Sequence, residues 1–322
     1  MILITGGAGY IGSHTNKMFK ELKYETVVVD DLSTGNIDFV KEYIHTTIAD
    51  PELSSVFRWN KIDAVIHFAA SIDVEESITD PKKYYENNFV NTLKLLNMMM
   101  KHNVKNIVFS STAAVYGIPW IIPIKEESPC KPVNPYGWSK LLAERVIQDY
   151  HKAYGLNYVI LRYFNAAGAD VDCEVGERRL NETHLIPLLF DVASGKREEI
   201  KIFGTDYNTD DGTCVRDYIH VEDLAEAHLM AYERLRAGGE SGIFNLGNSV
   251  GFSVREVIRS VKRVTGKKIK VVETVRREGD PDILISDSTK AMKQLGWIPD
   301  HTELDDIVKS AWLWYQKDHE GR

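Results

Sequence analysis

The chain opens on Ile2-Leu3-Ile4-Thr5 and then breaks into glycines at positions 6, 9 and 12. The apolar run predicts a short buried strand, and the amphipathic stretch 10–22 predicts a helix after it. Gly6, Gly9 and Gly12 let the backbone come close to a pyrophosphate, while the start of the helix offers free N–H groups and a positive dipole end. A glycine triplet by itself also fits a plain turn. Here a strand precedes it, a helix follows it, and an acid comes further on. That acid is Asp30, ending a second predicted strand, 25–30, built on Val27, Val28 and Val29. A carboxylate in that place accepts a hydrogen bond from a ribose 2′-hydroxyl and repels a 2′-phosphate. Asp31 adds to the repulsion, and no Lys or Arg lies between Asp30 and Lys41. The pattern predicts a bound dinucleotide, NAD in preference to NADP.

The first half keeps alternating. Strands are predicted at 2–5, 26–30, 64–68, 107–110 and 158–161, and helices at 10–22, 52–59, 82–101 and 139–153. Such alternation predicts an α/β fold with a Rossmann-type, doubly wound parallel sheet and ligands at the strands' C-terminal edge. After Arg162 the loops lengthen. We expect a dinucleotide-binding domain over 1–164 and a smaller α+β substrate domain over 165–322, with 215–247 returning to the first. Ser253 and Glu256 form a predicted capping box that opens a helix to 265. The helix 304–316 carries Trp312 and Trp314, read as core. In 82–101, Tyr85, Phe89, Leu93, Leu96 and Met100 form one apolar stripe, and Tyr84, Leu95, Met98 and Met99 lie elsewhere. Two apolar faces fit either a second subunit or burial within one chain.

The net charge of −8 argues against a nucleic-acid or anionic-membrane partner. Cys130, Cys173 and Cys214 fit no zinc spacing, and no metal site is expected. No apolar run reaches membrane-span length, and the first is too short for a signal peptide. A cytoplasmic enzyme is expected.

Of the fifteen tyrosines, only Tyr136 has a lysine four residues on, Lys140. That spacing stacks both side chains on one helix face. A nearby ammonium and the positive nicotinamide of oxidised NAD both favour phenolate, so Tyr136 is expected to have a lowered pKa and to act as a general base. Such a pair also arises by chance in a chain of this composition. Thr112 adds weight, because a hydroxyl at a strand end can bond both Tyr136 and a substrate oxygen.

These motifs, with 5–14, 65–70, 134–140, 161–165, 211–221 and 276–280, resemble the extended short-chain dehydrogenase/reductase family in its UDP-glucose 4-epimerase branch, in order and over nearly the whole chain. The resemblance implies Tyr136 as base, Lys140 as its electrostatic partner and Thr112 as the assisting hydroxyl. It implies cofactor contacts at Gly6, Gly9, Tyr10, Ile11, Gly12, Asp30, Asp31, Leu32, Ser33, Thr34, Gly35, Asp50, Phe68, Ala69, Ala70, Asn87 and Phe164, besides the three catalytic residues. It implies substrate contacts at Asn165, Leu185, Phe203, Arg216, Arg277, Asp280 and Leu284, with Thr112 and Tyr136. Guanidinium forks at Arg216 and Arg277 suit a UDP-hexose pyrophosphate. The implied reaction is reversible 4-epimerisation of UDP-glucose and UDP-galactose through a 4-keto sugar. Ala113 and Ala114 stand where related dehydratases carry acids, and a methyl group transfers no proton. Leu284, in the implied sugar pocket, leaves space for a 2-N-acetyl group, so UDP-GlcNAc/UDP-GalNAc epimerisation is the alternative. A net dehydrogenase and a non-catalytic NAD-binding protein are the remaining rivals. By the same resemblance, a homodimer forms through 82–101 and 139–153.

Overall fold

The computed structural model describes residues 1–277 and 279–320. Strands β1 (Ile2–Thr5), β2 (Thr26–Asp30), β3 (Ile44–His45), β4 (Ala64–His67), β5 (Asn106–Thr112) and β6 (Asn157–Tyr163) alternate with helices. The chain then leaves this sheet through β7 (Asn165–Ala167), β8 (Ile200–Phe203) and β9 (Val215–His220), and returns as β10 (Gly242–Leu246). Three short strands follow, β11 (Gly251–Ser253), β12 (Val271–Thr274) and β13 (Ile283–Leu284).

The main sheet has the order β10-β6-β5-β4-β1-β2-β3 and is parallel throughout. Its order reverses between β1 and β4, the switch point where a crevice opens beyond the strand ends. Every residue of β1 and of β4 is buried, as expected for strands covered on both faces. Alternate side chains supply two cores. Ile2, Ile4 and Ile66 pack with Phe19, Leu224 and Phe244, while Leu3, Val65 and Phe109 pack with Leu95, Met99 and Ile147.

β9 lies outside that sheet. It pairs with β11, β13 and β7 in a second, four-stranded sheet, and β8 pairs with β12. A third core joins the helices Leu185–Ala193, Val254–Thr265 and Leu304–Glu320 through Leu189, Val257 and Ile307. The capping box at Ser253 and Glu256 is formed, and Gly266 ends that helix in a left-handed conformation. Trp314 is buried against Phe39 and Trp312 stacks on Tyr315, so both belong to packing.

Two helices differ from expectation. The helix predicted over 139–153 starts at Pro135, because Asn134 Oδ1 accepts a bond from Gly137 N (2.8 Å) and proline suits the first helical position. The continuous helix predicted over 82–101 is broken. Pro81–Tyr84 is α-helical, Tyr85–Val90 is a π-turn, and Asn91–Lys101 is α-helical again. The wider turn rotates the register and brings Asn88 inward, where Ser71 N donates to its Oδ1 and its Nδ2 donates to Ser139 Oγ. Consequently Tyr84, Asn88, Thr92, Leu95, Leu96 and Met99 are buried, and of the predicted stripe only Leu96 is. Among the described residues, no helix is long and apolar enough to cross a membrane.

Candidate active site

The switch-point crevice begins at the glycines. Gly6 has φ +72°, and a Cβ there would stand 2.6 Å from Ala69 N. At Gly12 a Cβ would stand 2.2 Å from Gly6 O, so only glycine lets the helix Tyr10–Glu21 sit this close to the strand end. Gly9 is its N-cap and provides no side-chain cap, which leaves first-turn amides for an incoming anion. Asp30 Oδ2 accepts from Ala8 N (2.9 Å) and Oδ1 accepts from Leu32 N (2.8 Å). A carboxylate so held still has lone pairs for a ribose hydroxyl. Gly35 closes over it, since a Cβ there would lie 2.6 Å from Asp30 Oδ1. Asp31, Ser33 and Thr34 line the exposed rim beyond Asp30. The cradle therefore fits a dinucleotide.

The remaining cofactor candidates occupy the same edge or its approaches. Phe68, Ala69 and Ala70 directly follow β4, and the first two donate their N–H to Thr5 O. Phe164 follows β6 and is buried. Asn87 lies on the π-turn and donates to Ser71 Oγ (3.0 Å). Ile11 packs on the core, and Tyr10 donates its hydroxyl to Gly168 O (2.6 Å). Asp50 Oδ1 accepts from Glu52 N (2.8 Å), a bond that shapes the turn before the helix Leu53–Trp59.

Thr112 ends β5, and its hydroxyl lies near enough to the Tyr136 phenol to lower that phenol's pKa. Tyr136 and Lys140 lie a turn apart on the helix Pro135–Tyr154 and both are buried. Their electrostatics differ from expectation. Burial raises the Tyr136 pKa, against which the Thr112 hydroxyl and the Arg179 charge act more weakly. Burial also pushes the Lys140 ammonium down to about 7, with only the Glu144 charge opposing it. The part of the expected lowering assigned to Lys140 treats it as an ordinary ammonium. In this dry setting its charge is itself disfavoured. Its Nζ stands 4.7 Å from the centre of the Phe109 ring.

Arg216 on β9 makes an ion pair with Asp280, and its register partner on β13 is Leu284. Leu284 packs on the cluster of Ala113, Tyr116 and Phe164, which ties that wall to the end of the main sheet. Arg277 stands 4.1 Å over the Phe203 ring and 3.6 Å from Glu75. Asn165 opens β7 in register with Tyr218, and Leu185 opens the helix Leu185–Ala193.

Residues 2–247 match the family described as "NAD dependent epimerase/dehydratase family". The chain belongs to that family. The UDP-glucose 4-epimerase of Halalkalibacterium halodurans is 50% identical over 323 residues, covering 99% of this chain and 97% of the relative. A crystal structure of UDP-glucose 4-epimerase from Brucella ovis in complex with NAD superposes with a TM-score of 0.95 at 45% identity, covering 97% of each chain. The UDP-Glc/GlcNAc 4-epimerase of Campylobacter jejuni superposes at 0.86 with 44% identity, over 98% of this chain and 99% of that one.

Within an epimerase/dehydratase family, the residues after the strand-end hydroxyl matter. Ala113 and Ala114 begin a short 3-10 turn, and Ala113 is buried. Neither offers an acid or base. Sequence reasoning missed two neighbours of Tyr136. Tyr163 stands opposite Thr112 in sheet register, and its pKa is raised by burial and by Tyr136. Arg179 donates to Glu177 Oε1 (2.9 Å), and its charge reaches Tyr136, Tyr10 and Tyr163. The motif 161–165 already contained Tyr163, whereas nothing local marks Arg179.

Proposed function

We propose that this chain interconverts UDP-glucose and UDP-galactose by reversible 4-epimerisation through a 4-keto sugar. The observation that carries the reading is the placing of buried Tyr136 and Lys140, a turn apart on one helix, beside Thr112 at the C-terminal edge of a sheet whose switch point fits NAD. When bound, NAD supplies the reversible two-electron chemistry. Tyr136 takes the proton from the sugar 4-hydroxyl and returns it after the sugar has turned. Thr112 holds that oxygen and the phenol together. Lys140, when protonated, stabilises the phenolate. Arg216 and Arg277 hold the pyrophosphate, and Asp280 orients Arg216 through their ion pair. The hexose is gripped less firmly, which lets the keto sugar present its other face.

The enzyme acts as a homodimer in the cytoplasm. Trp138 and Leu142, a turn apart on one helix face, and Val90 on the π-turn are exposed apolar side chains that a second copy would cover. All three cysteines are free thiols, as suits a reducing compartment. The decisive assay is conversion of UDP-galactose to UDP-glucose by purified protein without added NAD, with Tyr136→Phe as control. Conversion by wild type alone supports the reading. Failure even with NAD added refutes it. A monomer by light scattering at micromolar concentration refutes the dimer.

A further inference from the structure

Glu144 lies one turn beyond Lys140 on the helix that carries Tyr136, and it is fully buried. It faces Arg162 of β6, also buried. Arg162 donates from Nη2 to Glu144 Oε2 (2.6 Å) and from Nε to Oε1 (3.0 Å), a two-pronged pair. Ser111 Oγ donates to the same carboxylate. Ser111 is the residue before Thr112, and it stands opposite Arg162 in the β5–β6 register. A third arm of Arg162, Nη1, donates to the Tyr116 hydroxyl (2.9 Å), so the guanidinium is held on three sides.

A buried ion pair is a poor source of stability, because desolvation offsets its attraction and apolar residues of similar size often replace it without loss. This one joins the strand end bearing Thr112 to the helix bearing Tyr136 and Lys140. We infer that Glu144 and Arg162 are positioning residues, which act through Ser111 to fix the Thr112 hydroxyl against the Tyr136 phenol. The inference rests on the 4-epimerase reading and adds what holds its reacting groups in place. Displacements of about 1 Å in such geometry cost on the order of a hundredfold in rate.

Two variants test it. Ser111→Ala cuts the link to the strand and leaves the ion pair. Glu144→Leu with Arg162→Met removes both charges together, so neither is left buried alone. The assay measures kcat and KM for UDP-galactose, the pH–rate profile, bound NAD and Tm. Expected is a fall in kcat of at least tenfold in each variant and a shifted pH–rate profile, with KM and NAD content within about twofold of wild type. A lower Tm with kcat retained within about twofold in Ser111→Ala overturns the inference, and so does a change in KM alone. If the double variant does not fold, Ser111→Ala decides. An inactive wild type overturns the epimerase reading instead, so the two failures are distinguishable.

Discussion

Lys140 is a buried amine whose pKa falls from 10.5 to about 7. At about 1.4 kcal/mol per pH unit, keeping it charged in the folded chain costs roughly 5 kcal/mol. Between about pH 7 and 10.5 the unfolded chain holds this proton and the folded chain releases it, so stability rises with pH across that window. Below pH 7 both states hold the proton and the full penalty applies. Lys140→Met removes the charge and keeps an unbranched stem. It also gives up the contact with Phe109, worth about 1–2 kcal/mol where desolvated. We therefore expect the variant to be inactive yet roughly 3 kcal/mol more stable than wild type at pH 6, with the gap mostly closed by pH 10. Urea unfolding of both proteins from pH 6 to 10 measures it. Cofactor-free protein is required, because a ligand bound only to the folded state stabilises it separately. Parallel curves for the two proteins would refute the assignment of Lys140 as a dry, easily deprotonated amine.

Three further outcomes follow from geometry. Gly12→Ala places a Cβ 2.2 Å from Gly6 O, between two stretches of backbone that cannot yield, and overpacking of this kind costs about 1–3 kcal/mol; the purified variant should carry less NAD and melt several degrees lower, and undiminished NAD content counts against the cradle. Thr112→Ser keeps the hydroxyl and should retain turnover within about fivefold, whereas Thr112→Ala should lose about a hundredfold in kcat; equal rates for the two variants remove Thr112 from the chemistry. With Leu284 in the sugar pocket that the proposed function gives it, UDP-GalNAc should be a second substrate, lost first in Leu284→Tyr. A wild type inert toward UDP-GalNAc refutes that assignment.

The main sheet was legible because each of its longer strands is a short apolar run ended by turn chemistry, and burial on both faces demands such runs. The break at Tyr85–Val90 was not. Its apolar residues fit a 3.6-residue period well enough to suggest one helix, and only the tertiary partners of Asn88 show that an amide turns inward. The start at Pro135 was readable in principle, since Asn134-Pro135 is a cap followed by the residue best suited to a first turn. Arg216 and Asp280 are separated by 64 positions and meet only because β13 lies beside β9. No local pattern encodes that meeting.

The same distinction governs the helix Pro135–Tyr154. Tyr136, Lys140 and Glu144 recur every four residues, so they share one face, and that much is sequence geometry. A polar stripe of that kind ordinarily faces water. Here the three are 9%, 4% and 0% exposed, and the helix turns them toward the sheet. Burial then sends each to a different fate. Glu144 finds Arg162 and Ser111, and its charge is matched. Lys140 makes no ion pair among the described residues, and its charge is disfavoured. Tyr136 keeps its proton more tightly despite the nearby Thr112 hydroxyl. Folding would not select a core stripe that costs this much if packing were its only purpose. The unmatched members, Tyr136 and Lys140, are the ones to which the proposed function gives the chemistry, and the matched member, Glu144, is the one to which the further inference gives their positioning.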